Sequence, residues 1–155
     1  MLFRSGLLTA AEFITIAEES GLITPLGDWA LHEACRQAAA WQQLGQHHRI
    51  AVNVSARQIA SGTIAETILR IFKETGCDPR TLELEITEDT LTKHAAAVMA
   101  AMTTLGPLGT VLAINGFGSS YASLAHLRRV PICKVKINPT LIRNIDDPHD
   151  AAIVR

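Results

Sequence analysis

The sequence predicts an α/β fold in which parallel strands are covered by helices and curve into part of a barrel. Three observations carry that prediction. Strand-like runs alternate with helical stretches of about ten residues or more, which makes the connections right-handed crossovers and the strand pairs parallel. Within three of the four runs apolar residues alternate with more polar or smaller ones, so one face of the sheet is greasy and the other is not. The composition, 48% hydrophobic and 19% charged over 155 residues, suits one domain with a real core.

The elements follow in chain order. In "AAEFITIAEES", residues 10 to 20, Phe13, Ile14 and Ala17 have helical spacing and Gly21 supplies the stop. A longer helix is expected from near Pro25, because Leu31, Ala34, Cys35, Ala38 and Trp41 recur three and four apart as one core stripe and Gly45 ends it. "RIAVNVS", residues 49 to 55, follows a polar turn and is rich in Val and Ile, as a strand requires. The same plan repeats with strands "TLELEIT" at 81 to 87, "TVLAIN" at 110 to 115 and "KVKIN" at 134 to 138. Helices are expected between them over 56 to 75, 89 to 105 and 120 to 129.

The parity of the strands decides which α/β architecture fits. Ile50, Val52 and Val54 alternate with Ala51, Asn53 and Ser55, and Leu82, Leu84 and Ile86 with Glu83, Glu85 and Thr87. Val135 and Ile137 alternate with Lys134, Lys136 and Asn138. A doubly wound sheet is apolar on both faces. In a barrel the helices cover the outside and the polar row points inward, converging near the strand carboxyl ends on a mouth where ligands bind. The bland alternative is an open sheet with a solvated polar face. Asn53, Glu85, Asn115, Lys136 and Asn138 are the candidate mouth residues. Enclosing such groups costs on the order of several kcal/mol unless they satisfy one another or a ligand.

Charge and cysteine usage exclude some partners. The formal charge is -1, with Lys and Arg scattered, so there is no electrostatic footprint for DNA, RNA or a membrane surface. No run reaches membrane-spanning length, and "MLFRSGLLTAAEF" makes a poor signal peptide. Cys35, Cys77 and Cys133 are far apart and belong to no close Cys or His pair, and are expected as buried, reduced thiols of a cytoplasmic protein. His47 and His48 read as a solvated turn, and His32, His94, His126 and His149 stand singly. "IDDPHD", residues 145 to 150, reads as a turn capping the segment "AAIVR" rather than as a cation site.

A resemblance now becomes specific. "EFITIAEESGLITPLGDWALHEACRQAAAW", "AVNVSARQI", "LELEITED", "GFGSSYASLAHLRRVPICKVKIN" and "DAAIVR" follow in an order and spacing that resemble the EAL-domain family, bacterial phosphodiesterases that linearise cyclic di-GMP. The resemblance runs from about Gly6 to Arg155. It implies a modified (β/α)8 TIM-type barrel, of which about five βα units are written here. Residues 1–155 are therefore expected to be a partial EAL domain that lacks the Glu-Ala-Leu strand and the C-terminal βα units, a fragment of a longer gene product in preference to a subunit completed by another chain or a poorly folding remnant.

The resemblance also implies a chemistry, in which two Mg2+ or Mn2+ ions at the mouth activate a water against a phosphodiester. Asn53 matches the family's metal-binding Asn, a hard neutral oxygen donor that also belongs to the substrate site. Glu85 matches the metal-bridging Glu, and Glu88 the second Glu, which positions the loop after "VLAIN" for catalysis. Lys136 matches the catalytic Lys, which touches substrate and can orient the water or offset charge on the phosphate.

Three family carboxylates are replaced. Asn115 and Gly116 stand where the family has two Asp, and Asn138 where it has a third. Paired divalent cations repel and need bridging carboxylates. The metals are therefore expected to be lost, with Asn53 and Glu85 as vestigial ligands and catalysis silenced. Beyond Gly118, Ser119 or Ser120 can cap a helix with stripe Tyr121, Leu124 and Leu127, and Arg128 and Arg129 at its end complement the dipole. In the family this loop takes part in dimer contacts, so an EAL-type homodimer, or a GGDEF or sensor domain, is the expected protein partner.

Three readings stay open, in this order. The first is a degenerate EAL domain that binds cyclic di-GMP or regulates a partner. The second is an active Mg2+-dependent phosphodiesterase giving linear pGpG. The third is a protein-interaction scaffold without nucleotide affinity.

Overall fold

The computed structural model describes residues 9–118 and 130–143. The helix expected over 120 to 129, with its Ser, Tyr, Leu and Arg residues, and the Asp-rich turn at 145 to 150 lie outside the described residues. Two helices come first, α1 (Ala10–Ser20) and α2 (Ile23–Gln43). Strand β1 (Ile50–Asn53) leads into α3 (Ala56–Ala60) and α4 (Ile64–Thr75), and β2 (Leu82–Thr87) into α5 (Glu88–Leu105). Strands β3 (Val111–Phe117) and β4 (Ile132–Ile137) follow, then a short α6 (Pro139–Ile142).

The local chemistry behind these boundaries is visible. α1 starts in a capping box, in which Glu12 Oε2 accepts from the Thr9 backbone N–H at 2.8 Å and from its hydroxyl at 2.9 Å. The helix expected over 56 to 75 is two helices. Ser61 and Thr63 spend their side chains on local hydrogen bonds and Gly62 takes φ 73, a left-handed conformation that ends the first piece.

All strand pairs are parallel, in the order β1-β2-β3-β4. Asn53 pairs with Glu85 and Glu85 with Ala113, so the mouth residues of neighbouring strands come side by side. The face carrying Val52, Leu84, Ile86, Leu112 and Ile114 is buried against Leu31, Ile68, Ile71, Leu91, Val98 and Leu105 of α2, α4 and α5. Covering a large aliphatic side chain in this way is worth about 1.5–3 kcal/mol each, and this layer sets the register. β4 is less covered, with Val135 and Ile137 43% and 36% exposed. Cys35 and Cys77 are buried as expected, but Cys133, on the edge of the described sheet, is exposed.

Candidate functional site

The polar face of the sheet carries two rungs of charge. Glu83 and Glu85, two residues apart on β2, point to the same side and are only 3% and 5% exposed. Carboxylates so enclosed require partners. Strand β4 supplies both, since the Lys134 ammonium donates to Glu83 and the Lys136 ammonium to Glu85 Oε1. Between them on β3, the small Ala113 pairs with Glu85 on one side and with Lys134 on the other.

Glu85 has a second partner. The Asn115 carboxamide donates to Glu85 Oε2 at 3.4 Å, so both carboxylate oxygens are engaged. Asn53 ends β1 beside it. Asn115 and Gly116 close β3 at a bulge, where Gly116 takes φ 68. That left-handed geometry is free for glycine and strained for most side chains.

Glu88 and Asn138 are placed differently. Glu88 is buried at the start of α5, and its Oε2 accepts the Gly118 backbone N–H at 3.0 Å, tying the end of β3 to α5. Asn138 is the N-cap of α6, its Oδ1 accepting from the Thr140 N–H at 3.0 Å and from the Thr140 hydroxyl at 2.9 Å. The fold thus brings Asn53, Glu85, Asn115 and Lys136 together, puts Glu88 behind the loop and commits the Asn138 carboxamide oxygen to a cap.

Beside this cluster lies a cavity of about 400 Å³, lined by Phe13, Leu26 and Trp29 on the helical side and by Asn53, Gln58 and Glu85 on the other. Gln58 is a residue that sequence reasoning missed. Its Oε1 accepts from the Ser55 backbone N–H at 3.2 Å and the Ser55 hydroxyl at 3.1 Å, while its Nε2 donates to Asp28 Oδ1 at 2.9 Å. It therefore ties the loop after β1 to α2. Gly27 makes room, since a Cβ there would lie 2.3 Å from Gln58 Oε1. The signal was the Ser55-x-x-Gln58 spacing of a capping box.

The donor chemistry tests whether divalent cations fit. The matched mouth positions offer one carboxylate, already shared between an ammonium and an amide, together with neutral oxygens. Among the described residues no three His, Cys, Asp or Glu side chains form a metal-ligating group. Taken by themselves, these positions supply fewer carboxylates than a bridged pair of Mg2+ or Mn2+ ions calls for.

Comparison with known proteins adds an independent finding. The family model described as the EAL domain matches residues 4–155. The chain is 35% identical over 151 residues to the cyclic di-GMP phosphodiesterase PdeR of Escherichia coli, covering 97% of this chain and 23% of that protein. It is 37% identical over 151 residues to the bifunctional diguanylate cyclase/cyclic di-GMP phosphodiesterase MucR of Pseudomonas aeruginosa, covering 96% and 22%. The solved structure of PaMucR phosphodiesterase in complex with c-di-GMP superposes with a TM-score of 0.88 at 37% identity, over 97% of this chain and 62% of that one. The FimX EAL domain gives a TM-score of 0.88 at 19% identity, over 99% and 62%, a likeness of fold alone. The chain thus spans less than a quarter of the length of these two curated relatives.

Proposed function

This chain belongs to the EAL-domain family, and we propose that it serves cyclic di-GMP signalling as a catalytically silent module that binds the nucleotide or regulates a partner. Its four-stranded parallel sheet is part of that family's TIM-like barrel. The observation that carries the reading is the closed Glu85 cluster, in which Lys136 and Asn115 occupy the two carboxylate oxygens.

The electrostatics support silence. Unit charges 4 Å apart interact by about 4 kcal/mol at an effective dielectric near 20, so two divalent cations at that distance repel by roughly 16 kcal/mol. One Glu85 could offset such repulsion only if it were free, and the Lys136 ammonium beside it largely cancels its attraction for cations. Asn115, Gly116 and Asn138 add no charge.

The same cluster suits a phosphodiester without metal. The Lys136 side chain is 45% exposed, so its ammonium can meet an anion while holding Glu85. The Asn53 carboxamide lies at the mouth, and the adjoining cavity has aromatic walls in Phe13 and Trp29 that suit a planar base. One relative with 37% identity has been solved as a c-di-GMP complex, which supports nucleotide binding.

The second reading, an active phosphodiesterase giving linear pGpG, is favoured by the retained Asn53, Glu85 and Lys136 and by the activities for which PdeR and MucR are named. Calorimetric titration of cyclic di-GMP with and without Mg2+, into this chain and into the chain extended to a whole barrel, separates the readings. Binding that ignores Mg2+ supports the silent receptor. Metal-dependent tightening with release of pGpG overturns it, and no heat in either form favours the scaffold.

A further inference from the structure

We propose that the amino ends of β1 and β2 carry a second anion site, a guanidinium-lined cleft that takes a phosphate group at the opposite end of the sheet from the mouth. Arg49 immediately precedes β1 and Thr81 immediately precedes β2, and the first residues of the two strands, Ile50 and Leu82, are paired. The cleft there has a volume of about 400 Å³ and is lined by His47, Arg49, Asp78, Arg80 and Thr81. Asn53 and Glu85 lie about 13 Å further along the same two strands at the ordinary strand rise, so the cleft is separate from the Glu85 cluster.

Both guanidinium groups are held in place from behind. Asp78 Oδ1 and Oδ2 accept from Arg80 Nε at 3.0 and 2.9 Å, and Oδ2 accepts from Arg80 Nη2 at 2.6 Å. The aliphatic stem of Arg80 lies over Gly109, where a Cβ would come within 2.3 Å of Arg80 Cγ. Arg49 is anchored through Nε alone, which donates to the Arg80 carbonyl at 3.3 Å. Beneath them the Thr81 hydroxyl donates to the Asp78 carbonyl at 2.7 Å and the Asp78 N–H to Gln42 Oε1 at 3.2 Å, which fastens the turn to α2. Among the described residues, neither the two terminal amino groups of Arg49 nor Arg80 Nη1 has an acceptor.

The chemistry of the lining selects an oxyanion. Two guanidinium groups face one carboxylate, and Arg80 takes both oxygens of that carboxylate, so Arg49 is left uncompensated. Arg80 foremost, with a smaller contribution from His47, holds the Asp78 carboxyl below its ordinary range, which keeps it ionised on Arg80. A cation therefore finds no open carboxylate, and an apolar group finds no aliphatic wall. A guanidinium presents parallel N–H donors whose spacing matches two oxygens of a phosphate. An oxyanion in the cleft meets the Arg49 fork and Arg80 Nη1, with the His47 imidazole as a further donor. The volume is that of a small-molecule site, so the phosphate has room for the group it esterifies.

Titration of inorganic phosphate into the isotope-labelled chain at pH 7 and constant ionic strength tests this by NMR. The expected result is saturation in the millimolar range at the Nε–H signals of Arg49 and Arg80 and at the Thr81 amide. Arg49→Ala removes an exposed side chain and leaves the core intact, and is expected to weaken binding about tenfold, read at Arg80 and Thr81. Arg49→Lys keeps the charge without the fork and should fall between. Arg36→Ala, which removes an exposed guanidinium paired with Glu33 on α2, should leave the affinity within about twofold. Shifts that never saturate, shifts confined to the amides of Asn53 and Glu85, or equal weakening by Arg49→Ala and Arg36→Ala would overturn the proposal.

Discussion

At the scale of single residues, the Glu85 cluster is a network that satisfies itself, with a donor on each carboxylate oxygen. Its parts have separable consequences. Lys136→Met leaves the buried Glu85 carboxylate without its cation, and because the Lys136 side chain is 45% exposed the cost is expected to be about 1–3 kcal/mol, below that of a fully buried pair. Lys136→Met combined with Glu85→Gln should recover part of that loss in urea denaturation; additive losses would mean the two groups are not coupled. Gly27→Ala is a second case. The new methyl meets Gln58 Oε1 at 2.3 Å, so Gln58 must leave its bonds to Ser55 and Asp28, at an expected cost of about 1–3 kcal/mol by the same measurement.

At the scale of elements, loops are held by side chains that reach between them. Glu88 fixes the end of β3 through the Gly118 N–H, so Glu88→Ala should raise amide exchange at Gly118 by roughly tenfold or more, while Glu88→Gln, which keeps an acceptor oxygen, should raise it less. Equal exchange in all three proteins would remove the contact from the account. The start of α1 should respond to acid. The Thr9 backbone N–H, then its hydroxyl, hold the Glu12 carboxyl below its ordinary 4.5. A carboxyl depressed in the folded state stabilises above its unfolded value, and that contribution is lost as pH falls through the folded one. α1 is therefore expected to fray from its first turn below about pH 4.5, read as loss of the Glu12 amide's protection; protection unchanged to pH 2 would contradict it. The short α3 likewise depends on its Ser55 cap, and Ser55→Ala should cost about 1 kcal/mol in thermal or urea unfolding.

At the scale of the whole molecule, the hydrophobic layer between sheet and helices carries the stability. Leu84→Ala, in the centre of β2 and 2% exposed, is expected to cost about 2–5 kcal/mol in urea unfolding, against near zero for a surface position such as Lys93→Ala. Much of this organisation was legible in the sequence because it rests on short-range periodicity. The alternation in "LELEIT" and the three-four spacing of Leu31, Cys35 and Ala38 each bury one face whatever the neighbours, so strands and helices emerged close to their expected bounds. The split of the 56 to 75 segment was less legible, since Ser61 and Gly62 act by a local hydrogen bond and a left-handed turn that periodicity does not register.

The sequence by itself determined the α/β order and the family, because residue type and spacing are local properties. Only the tertiary structure decided that Lys136 and Asn115 share Glu85, that Lys134 pairs with Glu83 and that the Asn138 carboxamide caps α6. Those contacts join residues from different strands and helices. Their geometry is set by sheet register and helix packing, which are cooperative outcomes of the entire core rather than of any one segment.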